Sequence, residues 1–257
     1  MQSQKRQRIL FLNVPIDNVA PHDLPSVIRT LMDSQQRENI VLLSVWDFLR
    51  ARKTTVYRLF VQNAALVLPI SASLVHGIRF LMGEKVYKHV PFETNIAILS
   101  TVEERDRSVY LFGGTRKLLQ IVESNVRQTF PSLTVVGRHA AAYKKKDEAV
   151  LLHAIKKTAP TLLLVGEGTR GRELWLAKNT EKLGSGLHLW CSDLYTVFAK
   201  KRKRPSLFFS MHNMEWLWFT VTKPFYFLRI FLFISYKIVL LITKILKKGT
   251  KYDSGSS

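Results

Sequence analysis

The stretch that decides the fold is TLLLVGEGTRGRELW, residues 161–175, in which an apolar run meets a glycine-rich turn and then an amphipathic segment. Leu162 to Val165 are all branched aliphatics, the composition of a strand buried on both faces of a sheet. Gly166 and Gly168 let the chain turn sharply, and a helix is predicted from Glu173 onward. A helix that follows a parallel strand presents unpaired N–H groups and the positive end of its dipole, which suit a phosphate. The turn is therefore either the mouth of a nucleotide site or only the tight corner of a strand–turn–helix unit.

Strands and helical segments alternate along most of the chain. The predicted strands are residues 9–14, 40–45, 65–70, 108–114, 133–139 and 162–166, and the predicted helices are residues 22–32, 116–129, 147–157 and a segment that starts at 173. Strands that alternate with helices of this length are typical of a doubly wound α/β fold. We therefore predict a Rossmann-like parallel sheet flanked by helices.

Glycines fall at the C-terminal ends of three of these predicted strands. They are Gly113 with Gly114, Gly137, and Gly166 with Gly168. Ligands of open α/β sheets bind at that edge of the sheet. The coincidence of glycines on one edge favours a ligand site over a plain corner.

Cysteine usage and the N-terminal residues bear on the compartment. Cys191 is the single cysteine among 257 residues, which excludes an internal disulfide and a cysteine-rich zinc module and fits a reducing compartment. The apolar run from Ile9 to Leu12 is too short for the core of a secretory signal. We therefore expect a cytoplasmic protein.

The net charge of +20, from 39 Lys and Arg against 19 Asp and Glu, points to an anionic partner. The candidates are nucleic acid, a membrane surface and phosphorylated substrates. Much of the excess lies late in the chain, in KKRKR (200–204) and in the basic residues after 220. Nucleic acid is the disfavoured partner, because the basic run is short, no recognised nucleic-acid module is present and no aromatic residues interleave with the run.

The segment FYFLRIFLFISYKIVLLITKIL, residues 225–246, is long enough to span a bilayer but carries charges at helical spacing. On a helical projection its polar residues form one stripe, and nearly all the others are large and apolar. Such a helix is typical of one that lies in the interface of an anionic membrane. A core helix and a tilted spanning helix with snorkelling lysines stay open as alternatives. The residues expected to meet lipid are Lys201, Arg202, Lys203, Arg204, Trp216, Arg229, Lys237 and Lys244.

Three regions follow from these patterns. We predict an α/β domain over residues 1–212, a helical membrane-associating appendage over 213–248 and a disordered tail over 249–257.

Several motifs, in order, resemble those of the WecG/TagA/CpsF group, glycosyltransferase family 26. The matching positions are Asn13, Val14, Ile16 and Asp17; Phe112, Gly113 and Gly114; Pro131, Leu133, Val135, Val136, Gly137 and His139; Val165, Gly166, Gly168, Glu173 and Trp175; and Met214, Glu215, Trp216, Leu217 and Pro224. The fourth group is similar to the family's most specific block, V-G-x-G-x-P-K-Q-E-x-W. The resemblance extends over most of the chain.

The resemblance implies a GT-E-like fold and the transfer of a hexosamine from a UDP-sugar to a lipid-diphosphate-linked sugar at the inner face of the cell membrane. It implies no cofactor and no metal ion beyond the UDP-sugar donor, and it leaves the oligomeric state open. The residues implied to bind the nucleotide-sugar are Gly113, Gly114, Gly137, His139, Gly166, Gly168, Thr169, Arg170 and Glu173. Among these, Glu173 is suited to a ribose or sugar hydroxyl.

The chain departs from the family pattern where a general base is expected. The family's L-P-D-G motif falls on Leu68 to Ser71, so Ile70 stands in place of the carboxylate, and the T-x-N motif falls on Leu43 to Val45. An isoleucine cannot take a proton from an acceptor hydroxyl. The candidates for another base are Asp47 and His76, with Ser44 as a nearby hydroxyl. The same losses favour an alternative function, a catalytically impaired relative that serves as a membrane-bound partner or scaffold.

Overall fold

The computed structural model describes residues 6–169, 173–191, 194–199 and 230–253, with side chains of the last range described for 233–246. The strands are β1 (Gln7–Phe11), β2 (Val14–Asn18), β3 (Arg37–Leu43), β4 (Leu66–Pro69), β5 (Ser108–Phe112), β6 (Thr134–His139), β7 (Leu162–Val165) and β8 (Gly186–Trp190). The helices are α1 (Leu24–Asp33), α2 (Val45–Lys53), α3 (Thr55–Gln62), α4 (Ala72–Met82), α5 (Pro91–Glu103), α6 (Arg116–Thr129), α7 (Glu148–Thr158), α8 (Glu173–Asn179), α9 (Leu194–Phe198) and a C-terminal helix (Ile230–Asp253).

Six parallel strands form the central sheet in the order β4-β3-β8-β7-β5-β6. The predicted Rossmann-like parallel sheet flanked by helices is therefore confirmed. The sheet is buried on both faces, and alternate residues of β7 belong to different cores: Leu162 and Leu164 to one, Leu163 and Val165 to the other. This is the period-2 alternation of a strand with a helical layer on each side.

The two helical layers differ in which segments they contain. One face of the sheet is covered by α1, α5, α6 and α9, and the other by α2, α3, α4, α7, α8 and the C-terminal helix. The C-terminal helix packs on α4 and α2. It follows that this helix and the helices after β3, β4 and β7 share one layer.

The predicted strand over residues 9–14 is wrong in its extent, because the chain reverses inside it. Leu12 and Asn13 both have positive φ, 48° and 66°, and join β1 to β2 as an antiparallel hairpin. A two-residue turn with both φ positive matches the twist of a hairpin, and Asn tolerates it well. The hairpin is fastened to the sheet by the buried carboxylate of Asp17, which accepts from the Arg8 guanidinium at 2.8 Å and the Val67 N–H at 2.7 Å.

The C-terminal helix runs to Asp253, five residues past the expected boundary at 248. Residues 249–253, expected to be part of a disordered tail, are therefore helical. The division of the chain into an α/β domain and an appendage stays a prediction.

Candidate functional site

The turns that follow β5 and β7 lie side by side at the C-terminal edge of the sheet. The Gly114 N–H donates to the Glu167 carbonyl at 2.6 Å, and the Gly113 N–H donates to the His139 carbonyl at 3.0 Å. The Gly114 carbonyl accepts from the Ala141 N–H at 2.9 Å. Gly113, Gly114 and Gly168 have positive φ, 127°, 59° and 81°. The predicted glycine edge therefore exists for the β5 and β7 turns, and their backbones are hydrogen-bonded to one another.

Close packing gives some of these glycines a structural reason that does not depend on a ligand. A Cβ on Gly166 would overlap the ring of Tyr195, which is buried and donates its hydroxyl to the Leu164 carbonyl at 2.9 Å. A Cβ on Gly113 would lie 2.9 Å from the Gly166 backbone. Thr169, expected to bind the nucleotide-sugar, is also buried and donates its hydroxyl to the Gly166 carbonyl at 2.9 Å. Packing alone therefore explains Gly113, Gly166 and Thr169 at this turn, whether or not the turn also binds a ligand.

Gly137 was expected at the end of its strand, and that expectation is wrong. It lies inside β6, which continues to His139, and its register partner is Tyr110 on β5. A Cβ there would lie 2.5 Å from the Tyr110 ring. The glycine makes room for a buried aromatic side chain in the sheet.

The aromatic residues beside this edge form a hydrogen-bonded cluster. The Trp175 indole N–H donates to the Tyr143 hydroxyl at 2.8 Å and lies 3.1 Å from a carboxylate oxygen of Glu148. The Trp175 ring packs against Phe112 with the centroids 4.6 Å apart and the planes tilted by 47°, and the His139 ring lies edge-on to Tyr143. The tryptophan of the most specific motif is therefore a buried packing residue here, and His139 lies at the margin of its cluster.

Two carboxylates meet at the other part of the edge, where β3 ends. Arg50 lies with its Nη1 3.0 Å from Glu173 and 4.0 Å from Asp47. Asp47 and Glu173 are 13% and 17% exposed, so the pair is shielded but can be reached by solvent. The structure thus joins Asp47, a candidate base, to Glu173, a candidate sugar ligand. We call Asp47, Arg50 and Glu173 the carboxylate cluster.

The local sequence explains how Asp47 is held. Ser44 is the N-cap of α2, and its hydroxyl accepts from the Asp47 N–H while the Asp47 carboxylate accepts from the Ser44 N–H, a capping box. The Ser44 hydroxyl also contacts the Asp47 carboxylate. On the neighbouring β4 side, the Ser71 hydroxyl accepts from the Val45 N–H at 3.0 Å. Asp47 therefore has a structural role as a helix-capping carboxylate, which is the commoner role for an acid at this position.

Electrostatics set Asp47 apart from an ordinary cap. Burial, and next the negative charge of Glu173, raise its pKa from 3.8 to about 6, against the opposing effects of Ser44 and Arg50. The Arg50 guanidinium also lies 4.5 Å over the Tyr57 ring, whose hydroxyl pKa is raised by burial and by Asp47. A carboxylate with a pKa near 6 is ionised at neutral pH and can accept a proton there. Such a raised pKa is typical of functional acids and bases.

Arg50 and Tyr57 are residues that the sequence reasoning missed. Arg50 lies three residues after Asp47 on α2, a spacing that places both side chains on one helix face. That spacing could have indicated the ion pair. The approach of Glu173, 123 residues further along the chain, depends on the sheet order and had no local signal.

Ile70 and His76 lie on the β4 side of the edge. Ile70 follows β4, is partly buried and donates its N–H to the Leu43 carbonyl at 3.0 Å. His76 lies on α4 and lines a groove against the C-terminal helix, with Lys237. The two candidate bases, Asp47 and His76, therefore occupy different environments.

The C-terminal helix docks through part of its predicted polar stripe. Tyr236 is buried against Gly77, where a Cβ would overlap the phenol oxygen, and its ring meets Phe48 at 5.9 Å. The Lys244 ammonium lies 3.7 Å over the Phe80 ring, while Lys237 is exposed. The outward side is apolar at helical spacing: Ile234, Ile238, Leu241, Ile242, Ile245 and Leu246 are each 47–65% exposed. We call these six residues the apolar face.

Several predicted site residues lie outside the described residues: Arg170, Lys201 to Arg204, Trp216 and Arg229. Within the described ranges, no helix is both long and apolar enough to cross a membrane. The same ranges contain no group of three or more His, Cys, Asp or Glu side chains placed to hold a metal ion. The expectation that no metal is needed stays a prediction.

Comparison with known proteins gives one family and a consistent set of relatives. Residues 9–252 match the glycosyl transferase WecG/TagA/CpsF family. The chain is similar to the N-acetylglucosaminyldiphosphoundecaprenol N-acetyl-beta-D-mannosaminyltransferases of Staphylococcus aureus strains NCTC 8325 / PS 47 and COL. Identity to each is 20% over 213 residues, which cover 82% of this chain and 83% of the relative.

Proposed function

Because the chain belongs to the WecG/TagA/CpsF family of glycosyl transferases, we propose that it transfers a hexosamine from a UDP-sugar to a sugar carried on a lipid diphosphate. The relatives act on N-acetylglucosaminyldiphosphoundecaprenol, which supports an acceptor of that class here. The single observation that carries the proposal is the carboxylate cluster at the C-terminal edge of the parallel sheet, where open α/β folds bind their ligands.

Asp47 is the general base in this proposal. As the acceptor hydroxyl attacks the anomeric carbon, its proton passes to the Asp47 carboxylate, the new C–O bond forms and the bond between that carbon and UDP breaks. UDP leaves with the bonding electron pair, and the configuration at the anomeric carbon inverts. The raised pKa of about 6 suits the role, since the group is ionised at neutral pH yet basic enough to hold the proton.

Glu173 and Arg50 support this step. Arg50 is a positioning residue that holds both carboxylates, and Glu173 keeps an oxygen for a hydroxyl of the donor ribose or sugar. The donor diphosphate lies at the turns after β5 and β7, where the backbone is tightly turned, beside the start of α6 with Arg116 and Lys117 in its first turn. Positive charge and free N–H groups at a helix start favour a diphosphate.

The site of action is the inner membrane surface, where the protein is peripheral. The apolar face of the C-terminal helix exposes six aliphatic side chains, and the chain has a net charge of +20. Such a helix buries its apolar face at the boundary of the acyl chains, while basic residues contact anionic headgroups. Apolar burial and electrostatic attraction then both favour membrane binding. This location would bring the edge of the sheet to a lipid-linked acceptor.

Binding of UDP and transfer of sugar test the proposal separately. Titration of the full chain with UDP and a panel of UDP-hexosamines should give saturable binding, and a GlcNAc-diphosphoprenol acceptor should gain one sugar. Binding without transfer, under conditions in which an active family member turns over, would contradict the enzyme and leave the nucleotide site.

Ile70 favours a second candidate function, a membrane-bound partner or scaffold that has kept the fold. The position lies beside the cluster, at the end of β4, and offers no proton acceptor. Replacement of Asp47 distinguishes the two functions. A scaffold should still bind its partners, whereas an enzyme should lose turnover. If the scaffold function holds, Ile70→Asp alone should not create normal activity, because the T-x-N positions are altered as well.

A further inference from the structure

A groove of about 400 Å³ lies between α4 and the C-terminal helix. Its walls are largely apolar and include Phe80, Phe233, Leu240 and Leu241. Ligand sites in proteins are typically concave, of this size, and mostly apolar with a few polar groups that fix orientation. The groove therefore has the composition of a site for a hydrocarbon chain.

Two polar side chains, one on each helix, also line the groove. His76 and Lys237 line it from opposite helices, and both are exposed. An ammonium group and an imidazole on the walls of an apolar groove complement a ligand with an anionic head and a hydrocarbon tail. A purely apolar occupant, such as the face of another helix, would make no polar contact with either side chain.

The groove also begins near the proposed reaction site. Ser73 lines it and lies two residues after Ser71, the N-cap of α4, which is about 3 Å along the helix axis. The Ser71 hydroxyl accepts from the Val45 N–H, at the start of the helix that carries Asp47. Phe48, next to Asp47, contacts Tyr236 of the opposite wall. The groove thus runs away from the carboxylate cluster along α4.

We propose that this groove binds the first isoprenoid units of the lipid acceptor, with His76 and Lys237 beside its diphosphate. The inference rests on the proposed function in one respect, namely that the acceptor is a lipid diphosphate. The isoprenoid chain of the acceptor runs along the groove from the side of Ser73 and leaves over Leu241, which is on the apolar face. The tail of the acceptor thereby continues into the membrane that the same face meets.

The probes are farnesyl diphosphate and inorganic diphosphate, titrated calorimetrically into the full chain without detergent and in the presence of saturating UDP, which occupies the proposed donor diphosphate site. The isoprenoid should tighten binding at least tenfold over inorganic diphosphate, because apolar carbons leave water. Equal affinities for the two probes would overturn the proposal.

Leu241→Asn and Ile242→Asn form a matched pair, since they are adjacent, 55% and 52% exposed, and only Leu241 lines the groove. Leu241→Asn should weaken farnesyl diphosphate about tenfold and leave inorganic diphosphate unchanged, whereas Ile242→Asn should change neither. Equal effects of the two substitutions would contradict a groove site and indicate general surface adsorption. Circular dichroism of both variants checks that the fold is kept, and exposure of both side chains makes loss of the fold unexpected.

A double variant, His76→Gln with Lys237→Gln, tests the two polar side chains of the groove. It should weaken both probes by a similar factor, about three- to tenfold, because it removes contacts to the head alone. Selective loss of the isoprenoid increment would contradict the assignment of these residues. None of these titrations needs sugar transfer, so a chain that fails to transfer sugar but passes them supports the groove and not the enzyme.

Discussion

At the scale of single residues, Asp47 combines a structural and a chemical role. Its backbone and side chain cap α2 together with Ser44, and its raised pKa reflects burial and the nearby Glu173. A capping carboxylate is ordinarily stabilised as an anion by the helix start. Here burial outweighs that effect, so the capping box does not explain the titration.

Asp47→Asn tests this balance through the pH dependence of stability. The pKa of Asp47 is about 6 in the folded chain, above the ordinary value of 3.8, so between these values the folded chain holds a proton that the unfolded chain has lost. The free energy of unfolding of the parent therefore falls as pH rises through this window. The variant cannot titrate at this position. Its free energy of unfolding, relative to that of the parent, should therefore rise by about 2 kcal/mol from pH 4 to pH 7. Chemical denaturation at both pH values measures it.

Asp33→Asn is the matched control, because Asp33 is 57% exposed. The free energy of unfolding of this variant, measured at the same two pH values, gives the baseline for the loss of an exposed carboxylate. A difference between Asp47→Asn and the parent that does not change with pH would show that the Asp47 carboxyl titrates normally, and would remove the electrostatic support for its role as a base.

Gly166 tests whether the glycine turn is a packed corner. Gly166→Ala should destabilise the fold by about 1–3 kcal/mol, because the new methyl group meets the buried Tyr195 ring. Gly184→Ala is the control, since its Cβ would lie 3.7 Å from the nearest atom and its φ is not in the positive range. Thermal unfolding in the absence of nucleotide measures both. Equal, small effects would mean that packing does not require Gly166, and a ligand would remain the reason for it.

At the scale of elements, the sequence predicted β5, β7 and α6 closely. Leu162 to Val165 form β7 as expected, and α6 spans Arg116–Thr129, the predicted range, with Thr115 as a capping residue. Both predictions rest on local signals, a run of branched aliphatics and a helical segment that follows a glycine pair. Local patterns of this kind are strong enough to set an element's type and its ends.

Other elements depend on contacts that the sequence does not display. The hairpin turn at Leu12 and Asn13 carries no glycine, so the run from Ile9 read as one strand. Helices α3 and α5 and strand β8 were not predicted as elements, although β8 is central in the sheet. The carboxylate cluster likewise joins residues from α2 and α8, which meet only because β3, β8 and β7 are neighbours.

The C-terminal helix is the element whose behaviour is easiest to test. Ile238→Gln with Ile245→Gln removes two side chains of the apolar face, 49% and 63% exposed, without touching the docked side. The affinity for anionic vesicles, measured by co-sedimentation, should fall at least tenfold, because apolar contact with the acyl region is lost. Val150→Gln, on α7 and 70% exposed, should leave sedimentation unchanged.

The salt dependence of vesicle binding separates its electrostatic part from its apolar part. Raising the ionic strength should weaken binding of the parent to anionic vesicles without abolishing it. Equal binding to neutral and anionic vesicles would contradict the electrostatic part. Unchanged sedimentation of the double glutamine variant would contradict the assignment of the apolar face to the membrane.

At the scale of the whole molecule, the sheet edge, the groove and the apolar face follow one another along a single layer of helices. The carboxylate cluster lies where α2 begins, the groove runs along α4, and the C-terminal helix closes the groove and exposes the apolar face. This order matches the order of parts in a lipid-linked acceptor: reacting sugar, diphosphate, hydrocarbon tail. The net charge of +20 suits the same anionic partners.

The central claim is that this chain transfers a sugar with Asp47 as the base, and one measurement tests it most directly. The rate of sugar transfer from a UDP-hexosamine to a GlcNAc-diphosphoprenol acceptor in anionic vesicles is compared for the parent, Asp47→Asn and Asp33→Asn, with UDP affinity measured alongside. We expect transfer by the parent and by Asp33→Asn, and a loss of about 10²–10⁴-fold for Asp47→Asn with UDP affinity preserved. Undiminished transfer by Asp47→Asn would contradict the claim.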